Sequence, residues 1–355
     1  MKTGSSAARY YGYSSARAKT MGSSLLSRSE IQSVIDAKDA SFVLSLLAQG
    51  DYRKDLEEFG GVDTPAELID FALSKNLARN VTKLVNISPF TERKIMRAIV
   101  GKWNLYNIRI AIEAKDKKQE YDSIARYIID YGRYDGAVIK EAMREETVEG
   151  MLARLMINSP YGPILQTAID EYKNTRSTLA AIAVMDKGYY KTLGSVMTRL
   201  RNIDGNSARI VKMDIDMKNI LLLLRAKRME AKFSDISESI INGGGMDIKE
   251  LENLYSSSND IESLVSQISA YDLKPSLEVY KADSSHRMIT FEIGLRNAIF
   301  LKSISILNHS ILSFGAMLAY AYMKEIEIFM LRILINSKLY GLSSDETSKL
   351  ITWRE

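Results

Sequence analysis

The chain has 355 residues, 46% of them hydrophobic, which is enough for a sizeable buried core. Its net charge is only +4, from 48 basic and 44 acidic residues, so the overall balance lends nothing to a nucleic-acid role. Cysteine is absent, which excludes a disulfide framework, a thiolate metal site and a cysteine nucleophile.

The N-terminus, MKTGSSAARYYGYSSARAK, is polar, aromatic and basic and lacks the apolar centre of a signal peptide, so export is not expected. Tyr10 to Leu26 reads as an arm that enters a helix. Short helices are predicted at Ser29–Asp36 and Ala40–Gln49, followed by a loop near Gly60 and Gly61. Asp63, Thr64 and Pro65 form a helix start, a capping oxygen followed by a proline whose missing N–H does no harm. From Glu67 to Val85 the apolar residues Leu68, Phe71, Ala72, Leu77, Val81 and Leu84 recur at helical spacing, giving an amphipathic helix.

Ser88 and Pro89 open the next helix, predicted over Phe90–Lys117. Its apolar positions Ile95, Ile99, Trp103, Leu105, Ile108, Ile110 and Ile112 extend beyond one stripe, the mark of a core helix. After a turn at Ser159–Pro163 a long helix is predicted from Ile164 to about Lys187, broken or bent at Gly188, Tyr189 and Tyr190, and then a core helix at Asp216–Arg228. Gly243, Gly244 and Gly245 precede the last third, whose core helix runs from Leu318 to Tyr340 and is closed by Gly341. The five prolines, at positions 65, 89, 160, 163 and 275, avoid every strongly periodic segment, as a mostly helical fold requires when an interior proline costs about 3 kcal/mol. The longest nearly apolar run, Phe314–Met323, falls far short of the roughly 20 residues that span a bilayer.

Three of these helices are versions of one another. WNLYNIRIAIEAK from Trp103, IDMKNILLLLRAK from Ile215 and IEIFMLRILINSK from Ile326 align without a gap, at intervals of 112 and 111 residues. A weaker likeness links the stretches beginning at Leu25, Ile128 and Ile240. Self-similarity at a fixed period defines architecture, and a period near 110 is the size of a domain. The reading is an all-α protein with internal triplication, in units 1–125 (with the N-terminal arm), 126–235 and 236–355.

Catalytic chemistry is scarce. His286 and His309 stand in no metal-ligand spacing. GGG at 243–245 is followed by no Gly-Lys-Ser and reads as a turn, and no Ser, His and Asp set has a recognisable context. Neither a catalytic residue nor a cofactor or metal site is expected. Two basic stretches, Met1–Glu30 and Lys83–Lys118, are either solvated helix faces or surfaces for an acidic partner or anionic membrane.

YYGYSSARAKTM, WNLYNIRIAIEAK, DIDMKNILLLLRAK and above all LAYAYMKEIEIFMLRILINSKLYGLSSDE together resemble the C subunit of the archaeal and bacterial A/V-type ATP synthases, whose eukaryotic counterpart is the d subunit of the vacuolar ATPase. The likeness covers essentially the whole chain. It implies an all-helical funnel of three similar domains with pseudo-threefold symmetry. It also implies a non-catalytic place in the rotor, one copy per complex, on the cytoplasmic face of the membrane proteolipid ring (c/K), receiving the D/F central shaft. Such a subunit is peripheral to the membrane and binds no nucleic acid. The candidate partner contacts are Tyr11, Tyr13, Arg17 and Lys19 in the arm, Arg109, Lys115 and Lys227 on the first two core helices, and Lys324, Glu325, Arg332 and Lys338 on the third. One departure is visible: Met330 stands where the first two copies have Asn107 and Asn219. The alternative is a helical scaffold or adaptor unrelated to ATPases.

Overall fold

The computed structural model describes residues 4–58, 64–283 and 285–350, and every regular element among them is a helix. In chain order these are α1 (Gly4–Gly22), α2 (Arg28–Asp36), α3 (Ala40–Leu47), α4 (Arg53–Glu57), α5 (Pro65–Ile87), α6 (Phe90–Val100) and α7 (Lys102–Asp116). There follow α8 (Tyr121–Ile124), α9 (Gly136–Ala142), α10 (Val148–Met156), α11 (Gly162–Thr175), α12 (Thr178–Ile203) and α13 (Gly205–Arg228). The last are α14 (Phe233–Ile236), α15 (Ile248–Ser257), α16 (Ile261–Gln267), α17 (Lys274–Ala282), α18 (Ile289–His309), α19 (Phe314–Leu339) and α20 (Ser344–Leu350). α8 and α14 each run into one 3-10 turn, at Ala125–Tyr127 and Ser237–Ser239. Among the described residues no helix is long and apolar enough to cross a membrane.

The chain divides into two compact units: Met1–Asp39 with Gly194–Glu355, and Ala40–Leu193. In the first, α19 is buried almost all round, from Phe314 and Met317 through Leu331 to Ile335, and α18, α13 and α1 pack against it. The predicted arm is itself the helix α1. Ser14, Ser15, Ala18 and Met21 form its buried stripe, and small residues bring its backbone close to α19 and the turn before it. There the Ser15 hydroxyl donates to the Ser313 carbonyl at 2.9 Å and accepts from the Ser313 amide at 3.1 Å.

In the second unit α5 begins as its sequence dictates, with Thr64 Oγ1 accepting the Glu67 amide and Pro65 in the first turn. The loop expected at Gly60 and Gly61, and Asp63, lie outside the described residues. The single helix predicted over Phe90–Lys117 is two, parted at Gly101. The Tyr189 hydroxyl donates to the carbonyls of Ala98 and Ile99, at 3.0 and 2.7 Å, taking acceptors that α7's first amides would otherwise use. Tyr161 crowds the same point: a Cβ on Gly101 would lie 2.5 Å from its hydroxyl. The break expected at Gly188–Tyr190 falls earlier, at Arg176, which adopts φ 54°. Ser177 starts a new helix there by accepting the Ala180 amide at 3.2 Å. Gly188 stays helical inside α12 and lets Ile164 of α11 approach, since a Cβ would meet its side chain at 3.0 Å.

Candidate functional site

The three aligned core helices, α7, α13 and α19, carry the same device. Each holds one short helix at both ends. At its second aligned position stands an oxygen acceptor: Asn104, Asp216 or Glu327. Asn104 Oδ1 accepts the amides of Arg133 and Tyr134 at 3.0 and 3.2 Å, and Asp216 Oδ1 accepts those of Gly245 and Met246 at 2.8 and 3.1 Å. Glu327 Oε2 accepts the amide of Leu26 at 2.5 Å. Tyr134, Met246 and Leu26 each immediately precede an N-cap, respectively Asp135 of α9, Asp247 of α15 and Ser27 of α2.

Eleven residues further along each core helix, three turns on and so on the same face, comes a lysine. Lys115 Nζ donates to the Met143 carbonyl at the end of α9 at 2.9 Å. Lys227 donates to the carbonyls of Tyr255 and Ser258 at the end of α15, at 2.9 and 3.0 Å, and sits 3.8 Å from the Tyr255 ring centre. Lys338 donates to the Ile35 carbonyl near the end of α2, an oxygen that Ser344 also reaches. A cation on the last carbonyls of a helix satisfies acceptors left open there and opposes the helix dipole. Burial pushes the Lys227 ammonium below the usual lysine range.

The asparagines brace the adjoining loop. Asn107 donates to the carbonyls of Ile129 and Tyr134, both at 2.7 Å, and accepts the Ile129 amide at 2.9 Å. Asn219 donates to the Ile241 carbonyl and accepts its amide, both at 2.9 Å. Met330, also buried, has no amide to offer. Each core helix then ends alike. Lys118, Glu230 and Gly341 turn to positive φ (55°, 54° and 70°), and the next amide returns to Ala114, Ala226 or Ser337 at 2.8, 3.0 and 2.9 Å. Those bonds close three Schellman motifs, and the small residue before each lysine is the acceptor.

The GGG turn is explained by this device. Cβ atoms on Gly244 and Gly245 would lie 2.2 and 2.7 Å from the carboxylate oxygens of Asp216, so only glycine lets the loop wrap it. Tyr271 donates to the other oxygen, Oδ2, at 2.7 Å. Burial raises the Asp216 carboxyl above its ordinary value, although Tyr271 and the two amides pull the other way, and burial beside Asp216 raises the Tyr271 phenol.

The predicted partner contacts divide sharply. Tyr13 and Arg17 are exposed on α1, Tyr11 and Lys19 are half-buried there, and Tyr11 packs edge-on against Tyr10. Lys115, Lys227 and Lys338 hold carbonyls of their own chain, Arg109 pairs with Asp186, and Lys324 is buried 2.8 Å from Glu327. Glu325 lies 3.5 Å from Arg296, and Arg332 is half-buried. Arg296 in turn pairs with Glu292 at 2.8 Å and lies over Phe329, at 4.1 Å to the ring centre. Desolvation opposes the charge of Glu292, but Arg296, Lys218 and Arg225 outweigh it and hold its carboxyl low. Both histidines are exposed, and among the described residues no cluster of potential metal ligands forms. The acceptor triplet Asn104, Asp216 and Glu327 is absent from the sequence-based candidates, yet its signal is there: an oxygen-bearing side chain at one column of all three windows.

Comparison with known proteins agrees with the repeated core helices in pointing to one family. The A-type ATP synthase C subunit of Thermoplasma acidophilum is 24% identical over 347 residues, covering 94% of this chain and 96% of the relative. The C subunits of Archaeoglobus fulgidus and Methanosarcina mazei are each 24% identical, over 344 and 338 residues, covering 96% and 94% of this chain and 95% and 91% of the relatives. The family model described as ATP synthase (C/AC39) subunit matches residues 14–350, and the chain belongs to that family.

Proposed function

We propose that this chain is a non-catalytic central-stalk subunit of an A/V-type ATP synthase. It couples a D/F-type shaft to the membrane proteolipid ring from the cytoplasmic face, in rotary ATP synthesis or ion pumping. The observation that carries the reading is the family match over residues 14–350, with relatives named as the C subunit of A-type ATP synthases aligned over nearly their whole length. The triply repeated clamp supports it, because a part that passes torque must resist deformation, and part-buried hydrogen bonds at both ends of each held helix fix it against its core helix. The division into units 1–125, 126–235 and 236–355 rests on the near-110-residue period of the core helices.

Tyr13 and Arg17 are the first candidates for partner contact, because both are exposed and of residue types enriched at interfaces. The test mixes the purified chain with the D/F pair and with detergent-solubilised ring, separately and together, followed by size-exclusion chromatography. A ternary complex that forms only with this chain supports the coupling role. Binding to neither partner overturns it in favour of a helical scaffold.

A further inference from the structure

We infer that α2 is a clasp: a helix that completes the third clamp from the far end of the sequence, and the part of that clamp that forms last and opens first. The inference goes beyond the coupling role and does not depend on it. In the first two clamps, acceptor and received amide are 29 or 30 residues apart, and lysine and carbonyl 28 to 31. In the third the separations are 301 and 303. The three joints share acceptor position, lysine position and N-cap; the third differs in its Glu327–Lys324 pair, in Met330 and, by a factor of about ten, in its tether. Loop-closure entropy grows as three-halves of the logarithm of loop length, which makes the third joint about thirtyfold less probable to close from the unfolded chain.

α2 packs against α20 within the unit formed by Met1–Asp39 and Gly194–Glu355. Its apolar hold, Ile31, Val34 and Ile35, is no smaller than that of α9 (Ile139 and Ala142) or α15 (Leu251 and Tyr255), so the tether and not the packing sets α2 apart. Much of its attachment is polar, through Glu327, Lys338 and Ser344. Polar bonds are exchanged for water on opening at modest net cost, whereas apolar area is not. α1 is joined to α2 by only Ser23–Ser27 and lies on the same α19, so α1 and α2 open as one segment.

Native-state hydrogen exchange of the full chain, read by mass spectrometry on peptides covering α2, α9 and α15, tests this. The expected result is exchange in α2 at least tenfold faster than in α9 and α15, with protection of α1 and α2 lost at the lowest denaturant. Lys338→Met is expected to speed α2 at least a further tenfold while α9 and α15 stay unchanged, and Lys115→Met to speed α9 alone. Wild-type α2 exchanging as slowly as α9 and α15 overturns the inference. So does a Lys338→Met protein in which all three helices speed up together. If that variant does not fold, the wild-type comparison decides alone.

Discussion

In the first clamp the amide of Tyr134 is received by Asn104, a neutral side chain; in the third the amide of Leu26 is received by Glu327, a carboxylate that leans on the buried ammonium of Lys324. Asn104 offers its amide oxygen without a charge to solvate, so α7 needs no buried counter-ion beside it. Glu327 reaches one methylene further, to a stretch of chain that arrives from elsewhere, and the ammonium of Lys324 is buried beside it at 2.8 Å. Between them stands Asp216, a carboxyl supported by a tyrosine hydroxyl and two loop amides. The geometry of an accepting oxygen is what the clamp requires, and charge is a local solution to supplying it.

That contrast breaks most visibly at the third clamp. Glu327→Ala removes a carboxylate 2.8 Å from the buried Lys324 and is expected to cost about 3–5 kcal/mol, read as a fall in Tm; pairing Glu327→Gln with Lys324→Met is expected to recover most of it. Next come the asparagines. Asn107→Ala removes three buried hydrogen bonds and Asn219→Ala two part-buried ones, so denaturant unfolding is expected to show losses of about 3 and about 2 kcal/mol.

Asp216→Asn places in the second clamp what already serves in the first. The folded Asp216 carboxyl is raised above its ordinary value of 3.8, so the native state binds its proton more tightly than the unfolded chain. Its contribution to stability therefore falls as pH rises from the unfolded value through the folded one, and the loss persists at neutral pH. The Asn variant is expected to lack that fall in a pH series of urea midpoints, and to stay within about 1 kcal/mol of wild type at pH 7. A variant as unstable as Asp216→Ala would show that the charge itself is required. The smallest effects are expected at the helix ends. Lys118→Gly and Glu230→Gly, at positions the third copy fills with Gly341, should each stabilise by about 0.5–1 kcal/mol in thermal melts, and Gly341→Ala should cost about 1 kcal/mol.

Much of the fold is legible in the sequence because periodicity reports burial. Of the seven positions that are core by their spacing, Ile95, Ile99, Leu105, Ile108 and Ile112 are buried and Trp103 and Ile110 are half-buried, and the three core helices lie where the repeat puts them. Boundaries set by distant residues are not legible. The break at Gly101 depends on hydroxyls from Tyr161 and Tyr189, far along the chain, and the break at Arg176 on a residue with no turn preference of its own. The lysines stand out by their recurrence, which suits a partner contact and an internal clamp equally well. Sequence shows that a charge recurs, while only coordinates show that it points at a carbonyl of its own chain.

Eleven residues separate Asn104 from Lys115, Asp216 from Lys227 and Glu327 from Lys338, which makes each core helix a ruler about 16 Å long laid against the helix it holds. Substitution leaves a ruler intact, and this chain already exchanges Asn, Asp and Glu at one end of it. A single inserted or deleted residue would swing the lysine about 100° around the helix axis, off its carbonyl altogether. In this chain the record of the clamp is kept as a count: the residue at one mark varies among Asn, Asp and Glu while the length between the marks is the same three times.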